Sequence, residues 1–146
     1  MSDFRSDMEA RRRQLADRVV AATAIDEAMI ERLVHAFYDR VRTDPLLGPI
    51  FDAKVEDWDE HLARMCTFWS SVVLLSGRYH GQPMAKHLPL PVEGHHFERW
   101  LGIFDETAGD VCPPAAAEYF SDRAHRIAAS LEAGVATVRN RERVEV

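Results

Sequence analysis

The segment GQPMAKHLPLP, residues 81–91, holds one histidine, His87, in a stretch that also contains three prolines. Proline fixes its own φ angle and restricts the residue before it, so a helix between these prolines can be only about two turns long. Longer helical patterns flank the segment on both sides. The sequence therefore predicts that His87 stands on a short, rigid platform between two longer helices.

The rest of the chain has the periodicity of helices. Apolar residues recur at intervals of three and four, with neither a convincing alternating strand nor an internal repeat. Helices are predicted over residues 4–22, from about 23–26 to 42, from about 55 to 76, over 93–108, and from 113–114 onward. This pattern predicts an all-α fold.

The predicted boundaries depend on particular residues. Thr23 is expected to cap the second helix, and TDPLLGPIF (43–51), with two prolines and a glycine, is expected to end it in a loop closed by Phe51. Gly77 is expected to end the third helix. The first helix, residues 4–22, is predicted to be an amphipathic extension, and the charged C-terminal sequence RNRERVEV is expected to fray.

Composition narrows the function classes. At 146 residues the chain can form one domain with a sizeable core, and a net charge of −6 with scattered arginines argues against nucleic acid as a partner. No apolar run approaches the roughly 20 residues of a membrane-spanning helix. The N-terminal MSDFRSDMEARRR lacks the apolar core of a secretory signal. Cys66 and Cys112 are expected to remain thiols, in a cytoplasmic setting.

Three further side chains can carry chemistry: Tyr38, His61 and Trp100 lie in the apolar stripes of three different predicted helices. Each also has a purely structural explanation, because a buried tyrosine or tryptophan can donate to a backbone carbonyl and a buried histidine can be hydrogen-bonded in the core. His61 can equally face a cavity. For His87 the structural alternative is a surface or hydrogen-bonded interior residue. The functional one is an axial ligand of haem iron, which needs a neutral imidazole nitrogen held in one direction within an apolar wall.

Five segments in order carry a resemblance to a known family. They are FYDRVR (37–42), GPIF (48–51), EDWDEHLARMCTFW (56–69), GQPMAKHLPLP (81–91) and HFERWLGIF (96–104). Their order and spacing resemble a group III truncated haemoglobin over about residues 25–134. The paired-glycine motifs typical of the other truncated haemoglobin groups are missing from this sequence, which also fits group III.

The resemblance implies a fold and a cofactor. The fold is a truncated globin, a two-over-two helical sandwich enclosing haem b. The implied organisation is an N-terminal helical extension over residues 1–24, the globin domain over residues 25–134, and a charged tail over residues 135–146. His87 would be the proximal iron ligand. Three other histidines compete with it from looser, more polar surroundings: His80, His95 and His96.

The resemblance also implies the remaining pocket residues. Tyr38 and Trp100 would be the distal hydrogen-bond donors to a ligand at the iron, and His61 would lie on the distal helix, either facing the iron or turned aside. The pocket wall would be formed by Phe51, Met65, Phe68 and Trp69. Arg64, and second Lys86, are the candidate cations for the haem propionates, although both would also fit a solvated face.

The implied function is binding of dioxygen and related diatomic ligands, namely carbon monoxide and nitric oxide, together with a dioxygenase- or peroxidase-like activity toward nitric oxide or peroxide. Such chemistry needs a reductase partner, and the chain is expected to be a monomer or a weak homo-oligomer. Two alternatives stay open. One is a haem-based sensor or electron carrier in which Met65 or His61 supplies a sixth ligand, and the other is a haem-free helical interaction protein.

Overall fold

The structure is a computed structural model that describes residues 3–79, 81 and 92–144. The predicted platform around His87 lies outside the described residues, as do His80 and Lys86. Six helices form within the described part of the chain, and it contains no strand, so the all-α prediction is confirmed. They are α1 (Phe4–Thr23), α2 (Glu27–Thr43), α3 (Gly48–Lys54), α4 (Trp58–Val73), α5 (Gly94–Val111) and α6 (Pro114–Val144).

The helices pack as two pairs. Helix α2 packs along α4, and α5 packs along α6; the two pairs meet where α2 crosses α5. This is the two-over-two arrangement predicted above, with the short α3 packed against α2. The shared core contains apolar residues that are at most 2% exposed, among them Ile30, Leu33, Val34, Phe37, Val41, Phe104 and Phe120.

The start of α2 differs from the prediction. Asp26, not Thr23, caps the helix, because its carboxylate accepts a hydrogen bond from the Met29 N–H at 2.8 Å. Thr23 is instead the last residue of α1, and its hydroxyl donates to the Val19 carbonyl at 2.6 Å. Both residue types can cap a helix, and the short turn after α1 leaves only Asp26 in position.

Helix α4 is shorter than predicted. The sequence pattern predicts a helix from about residue 55 to 76, whereas α4 runs from Trp58 to Val73. Asp57 caps its first turn by accepting from the Glu60 N–H at 3.2 Å, which sets the start. Leu75, with a positive φ of 53°, turns the backbone out of the helical path two residues before Gly77, whose φ is 71°.

The predicted loop over residues 43–51 is partly helical. Helix α3 begins at Gly48, and Pro49 lies in its first turn, where a missing N–H breaks no intrahelical bond. Gly48 is needed because a Cβ there would lie 2.7 Å from the Arg42 carbonyl oxygen. This close approach brings the start of α3 against the end of α2.

The C-terminal helix extends into the predicted charged tail. The tail is predicted over residues 135–146, with fraying of its sequence RNRERVEV (139–146), and α6 runs to Val144. Val135 is 3% exposed and packs with Val92, Phe97 and Ala128 in a second apolar cluster. Because Val135 follows Ala128 by seven residues, it continues the buried stripe of α6.

Helix α1 is an extension, but its apolar residues are not buried. Thr23 is its only buried residue among those described, while Phe4 is 78% exposed and Leu15 is 49% exposed. The helix touches α6 and contributes little to either core cluster. Within the described residues no helix combines the length and low charge required to cross a membrane.

Candidate functional site

Tyr38 and His61 face each other across the contact between α2 and α4. Their rings meet edge to face, with centroids 5.0 Å apart and planes at 85°. The Tyr38 ring also meets Phe51 of α3 at 5.9 Å and Trp58 at 6.0 Å. Tyr38 is 5% exposed, so three helices enclose it in a mainly aromatic environment. The structure thus brings together three of the predicted pocket residues.

The Tyr38 hydroxyl forms no hydrogen bond within the described part of the chain. The purely structural explanation for Tyr38 was a hydrogen bond from its hydroxyl to a backbone carbonyl. No such bond is observed among the described residues. Burial raises the pKa of this phenol well above its usual value, and the Cys66 thiol nearby adds to the shift. Tyr38 thus stays protonated at neutral pH and keeps its O–H as a donor.

Trp100 lies on α5 on the other side of Phe37. Its indole stacks on Phe104 at 5.5 Å and 16°, and meets Phe37 edge to face at 5.3 Å. Trp100 is partly buried, and its N–H donates no hydrogen bond to any residue in the described ranges. Trp100 thus lies next to Phe37, the residue that precedes Tyr38. No ring contact joins Trp100 to Tyr38 in the described ranges.

The predicted wall residues of α4 differ in depth. Trp69 is 4% exposed and stacks on Phe104 at 5.1 Å, so it belongs to the core. Phe68 and Met65 are partly buried and pack against that core. Phe68 also meets Tyr79 edge to face at 5.1 Å, beyond the end of α4. These residues form a continuous apolar row along one side of α4.

A groove of about 460 Å³ opens beside α4 and contains two arginines. Arg64 lies there with an ion pair to Glu60 at 2.6 Å, and Arg78 lies there with an ion pair to Glu27 at 3.0 Å. Tyr79 also lines the groove. Arg78 and Tyr79 are not among the residues predicted from the sequence. Their position directly after the third predicted helix and before the His87 segment was the signal that could have identified them.

Two of the competing histidines have other partners. His95 and His96 begin α5 with their rings 4.0 Å apart, and the His95 side chain is 57% exposed. The Nδ1 atom of His96 accepts a hydrogen bond from the Glu93 N–H at 2.9 Å, which caps the helix. These contacts place both residues at the start of α5.

The two cysteines are unbonded, as predicted. Cys112 is buried, and Cys66 is partly buried on α4. Burial raises the pKa of both thiols, so both are poor nucleophiles at neutral pH.

Comparison with known proteins identifies the family. The family model of the bacterial-like globins matches residues 24–132. The group 3 truncated hemoglobin ctb of Campylobacter jejuni is 37% identical over 113 residues, which cover 74% of this chain and 89% of that protein. The group 2 truncated hemoglobin YjbI of Bacillus subtilis is 32% identical over 90 residues, covering 60% of this chain and 68% of that one.

Solved structures agree with this result. The crystal structure of the group III truncated hemoglobin from Campylobacter jejuni matches with a TM-score of 0.72 and 36% identity, over 76% of this chain and 91% of that one. The truncated oxygen-avid haemoglobin from Bacillus subtilis matches with a TM-score of 0.63 and 26% identity, over 74% and 94% of the two chains. The chain therefore belongs to the bacterial-like globin family of haem proteins and is a truncated haemoglobin of group III.

Proposed function

We propose that this chain binds one haem b through His87 and uses it to bind dioxygen and other diatomic ligands. The observation that carries the proposal is Tyr38, a buried residue whose ring lies among aromatic side chains and whose hydroxyl donates no hydrogen bond in the described ranges. A pocket that keeps such a donor is suited to a ligand that accepts a hydrogen bond.

The residues present fit a haem pocket. Aromatic side chains from α2, α3 and α4 pack against the Tyr38 ring, and the indole N–H of Trp100 is a second donor from α5. Haem supplies an iron atom at which dioxygen, carbon monoxide or nitric oxide binds. Phe51 of α3, together with the apolar row of α4 formed by Met65, Phe68 and Trp69, is proposed as the wall that excludes water from that ligand.

Tyr38 and Trp100 are the proposed donors to the ligand. Bound dioxygen carries more negative charge on its outer atom than carbon monoxide does, so a fixed donor favours dioxygen. A hydrogen bond to a charged group contributes about 1.5–3 kcal/mol, or one to two decades in the dissociation rate. Two donors therefore give slow release, which suits a reaction with nitric oxide or peroxide better than delivery of oxygen.

His61 is proposed to contact the ligand only if its ring faces the iron, and otherwise to act on the ligand through Tyr38. Its ring lies against Tyr38 and against Trp58, with centroids 5.5 Å apart in the second pair. From this position it can keep the Tyr38 ring in place whether or not it reaches the ligand itself. A change at His61 therefore acts on the ligand partly through Tyr38.

The groove with Arg64 and Arg78 is the proposed site for the haem propionates. Both guanidinium groups line it, and the Tyr79 side chain lies beside them. Carboxylates bind well to arginine because its planar guanidinium can donate two parallel hydrogen bonds. Arg64 would exchange its ion pair with Glu60 for the propionate. Lys86 remains a second candidate for the same role.

The proposal includes a partner and a setting. Dioxygen binds ferrous iron, so repeated turnover with nitric oxide or peroxide requires an electron donor, which we propose is a separate reductase. A reducing cytoplasm is the proposed location, in keeping with the unbonded Cys66 and Cys112. A monomer or weak homo-oligomer is the proposed assembly.

Absorption spectroscopy tests the proposal directly. The purified chain is titrated with haem and its spectra are recorded in the ferric, ferrous and carbon monoxide-bound forms, with the cofactor extracted and identified. We expect one haem b per chain and a ferrous protein that binds carbon monoxide reversibly. A chain that retains no haem after gel filtration would refute the proposed function.

A further inference from the structure

Asp44 is a buried carboxylate at the junction of three helices. Its side chain is 2% exposed, and it follows α2 directly. Its own N–H donates to the Val41 carbonyl at 3.1 Å, which ends α2. A carboxylate this deeply buried must be compensated by several donors, because charge is costly to remove from water.

The donors on one side belong to the turn that leads into α3. The Oδ2 atom of Asp44 accepts from the N–H groups of Leu46 at 3.1 Å and Leu47 at 3.0 Å. The Asp44 carbonyl accepts from the Gly48 N–H at 2.9 Å. One helical turn later, the Leu47 carbonyl accepts from the Phe51 N–H at 3.1 Å. Asp44 thus fixes the backbone from which Phe51 extends.

The donor on the other side comes from α5. The Nε atom of Arg99 donates to Asp44 Oδ1 at 2.7 Å, and its Nη2 atom lies 2.6 Å from the same oxygen. Burial alone would raise the pKa of the Asp44 carboxyl, but the hydrogen bonds from Arg99, Leu47 and Leu46 outweigh burial and hold it below its usual value. Asp44 therefore stays charged and keeps Arg99 bound at neutral pH.

The three elements joined at Asp44 carry three residues of the candidate pocket. Tyr38 lies on α2, Phe51 on α3, and Trp100 directly follows Arg99 on α5. Ile50 of α3 and Trp100 of α5 also pack against the same apolar cluster, so α3 contributes to the surroundings of the indole. We propose that Asp44 is a positioning residue that sets where the Tyr38 and Trp100 donors stand relative to the bound ligand. This inference rests on the proposed ligand-binding function.

The test distinguishes the effect of the Asp44–Arg99 ion pair from the effect of the hydrogen bonds that Asp44 accepts within the turn. Asp44→Asn keeps one oxygen for the N–H groups of Leu46 and Leu47 but loses the charge that holds Arg99. We expect oxygen release to become about tenfold faster, the loss of roughly one hydrogen bond's contribution. We also expect the C–O stretching frequency of bound carbon monoxide to shift, because it reports the field of nearby donors. Haem content and helical circular dichroism should stay the same.

Asp110→Asn is the matched control. Asp110 accepts from Arg40 at 2.8 Å and so also joins α5 to α2, but it lies ten residues beyond Trp100. We expect this variant to keep the parent's oxygen release and C–O frequency. If both variants change these readouts alike, any loosening of α2 against α5 is sufficient, and the positioning role of Asp44 is overturned.

A second variant covers the case in which Asp44→Asn does not fold. Arg99→Lys leaves the hydrogen bonds from the Leu46 and Leu47 N–H groups to Asp44 intact. It removes the guanidinium group whose Nε and Nη2 atoms both contact Asp44 Oδ1. We expect the same direction of change in oxygen release and C–O frequency. Parent-like values in a haem-loaded Arg99→Lys protein would overturn the inference, while absence of haem from the parent itself would instead refute the proposed function.

Discussion

The His61 ring stands nearly perpendicular to the Tyr38 ring, with the two centroids 5.0 Å apart. The pair joins α4 to α2 at the point where both helices contribute to the candidate pocket. Trp58 also packs against both rings, so the three side chains form one aromatic cluster. We therefore expect a substitution at either residue to change the position of the other ring and, through it, the release rate of the proposed ligand.

Replacing His87 with alanine should abolish stable haem binding. His87 is the proposed iron ligand, so its loss removes the bond between protein and iron. Haem content after gel filtration and the ferrous absorption spectrum measure the effect. His95→Ala is the control, because the exposed His95 side chain contacts its neighbours at the start of α5. An unchanged ferrous spectrum in His87→Ala would assign the iron ligand to a different residue.

Phe104→Ala should destabilise the fold. Phe104 is 1% exposed and stacks on Trp69 and Trp100 while contacting Phe37 edge to face. Removing a buried phenylalanine side chain leaves a cavity and lowers the free energy of unfolding by about 3–5 kcal/mol. Urea denaturation of the haem-free proteins measures the difference. Leu46→Ala, at a position 36% exposed, is the control and should change it far less.

Removal of residues 1–20 should leave haem binding intact. Within α1 only Thr23 is buried among the described residues, and Thr23 remains in the truncated chain. The deleted part touches α6, and Arg12 lies near Gly77, so a modest loss of thermal stability is expected. The ferric and carbon monoxide-bound spectra provide the measurement. Loss of haem from the shortened chain would mean that α1 covers the pocket.

Helix periodicity predicted most of the fold because the buried stripes are strong. The stripe of α2 in particular places Ile30, Leu33 and Phe37 in the core, as the spacing indicates. Helix ends were harder to predict, because they depend on local competition. Thr23 and Asp26 are both capping residues by type, and only the folded turn decides between them. Likewise, Val135 is buried within the predicted charged tail, which the charge pattern alone does not indicate.

The aromatic and imidazole residues of the candidate site could be predicted from the sequence, because few residue types can serve as donors or walls in an apolar pocket. Tyr38, His61 and Phe51 were named from their patterns and their resemblance to a family, and the structure brings their rings together. The Asp44–Arg99 contact was not predictable, because 55 residues separate the two and each has many polar alternatives. Long-range ion pairs of this kind depend on how helices cross, which periodicity does not specify.

The stabilising effect of Asp44 should disappear in acid. The pKa of this carboxyl is lower in the folded protein than its usual value, so its contribution is complete above the unfolded pKa of about 4. The contribution is lost as the pH falls through the folded pKa, because the carboxyl must then be protonated. Urea denaturation of the parent and of Asp44→Asn should therefore differ at pH 7 and converge below pH 4. A difference that persists undiminished in acid would contradict the charge-based explanation.

Tyr38→Phe should accelerate oxygen release by about one to two decades, because it deletes the proposed donor and keeps the buried ring. The contacts of that ring with His61 and Phe51 should remain, so packing should change little. Stopped-flow displacement of oxygen by carbon monoxide measures the release rate. Carbon monoxide release should respond far less, since bound carbon monoxide develops less charge. The ratio of the two effects therefore distinguishes a lost hydrogen bond from an opened pocket.

Tyr119→Phe is the matched control for this substitution. Tyr119 is partly buried on α6, and its ring lies under the Arg123 guanidinium at 5.1 Å, in contact with none of the candidate pocket's rings among the described residues. The same loss of a hydroxyl there should leave both release rates unchanged. If oxygen leaves Tyr38→Phe as slowly as the parent, Trp100 or His61 holds the ligand instead. If oxygen and carbon monoxide both leave faster by the same factor, the substitution has widened the pocket, and the electrostatic role of Tyr38 is wrong.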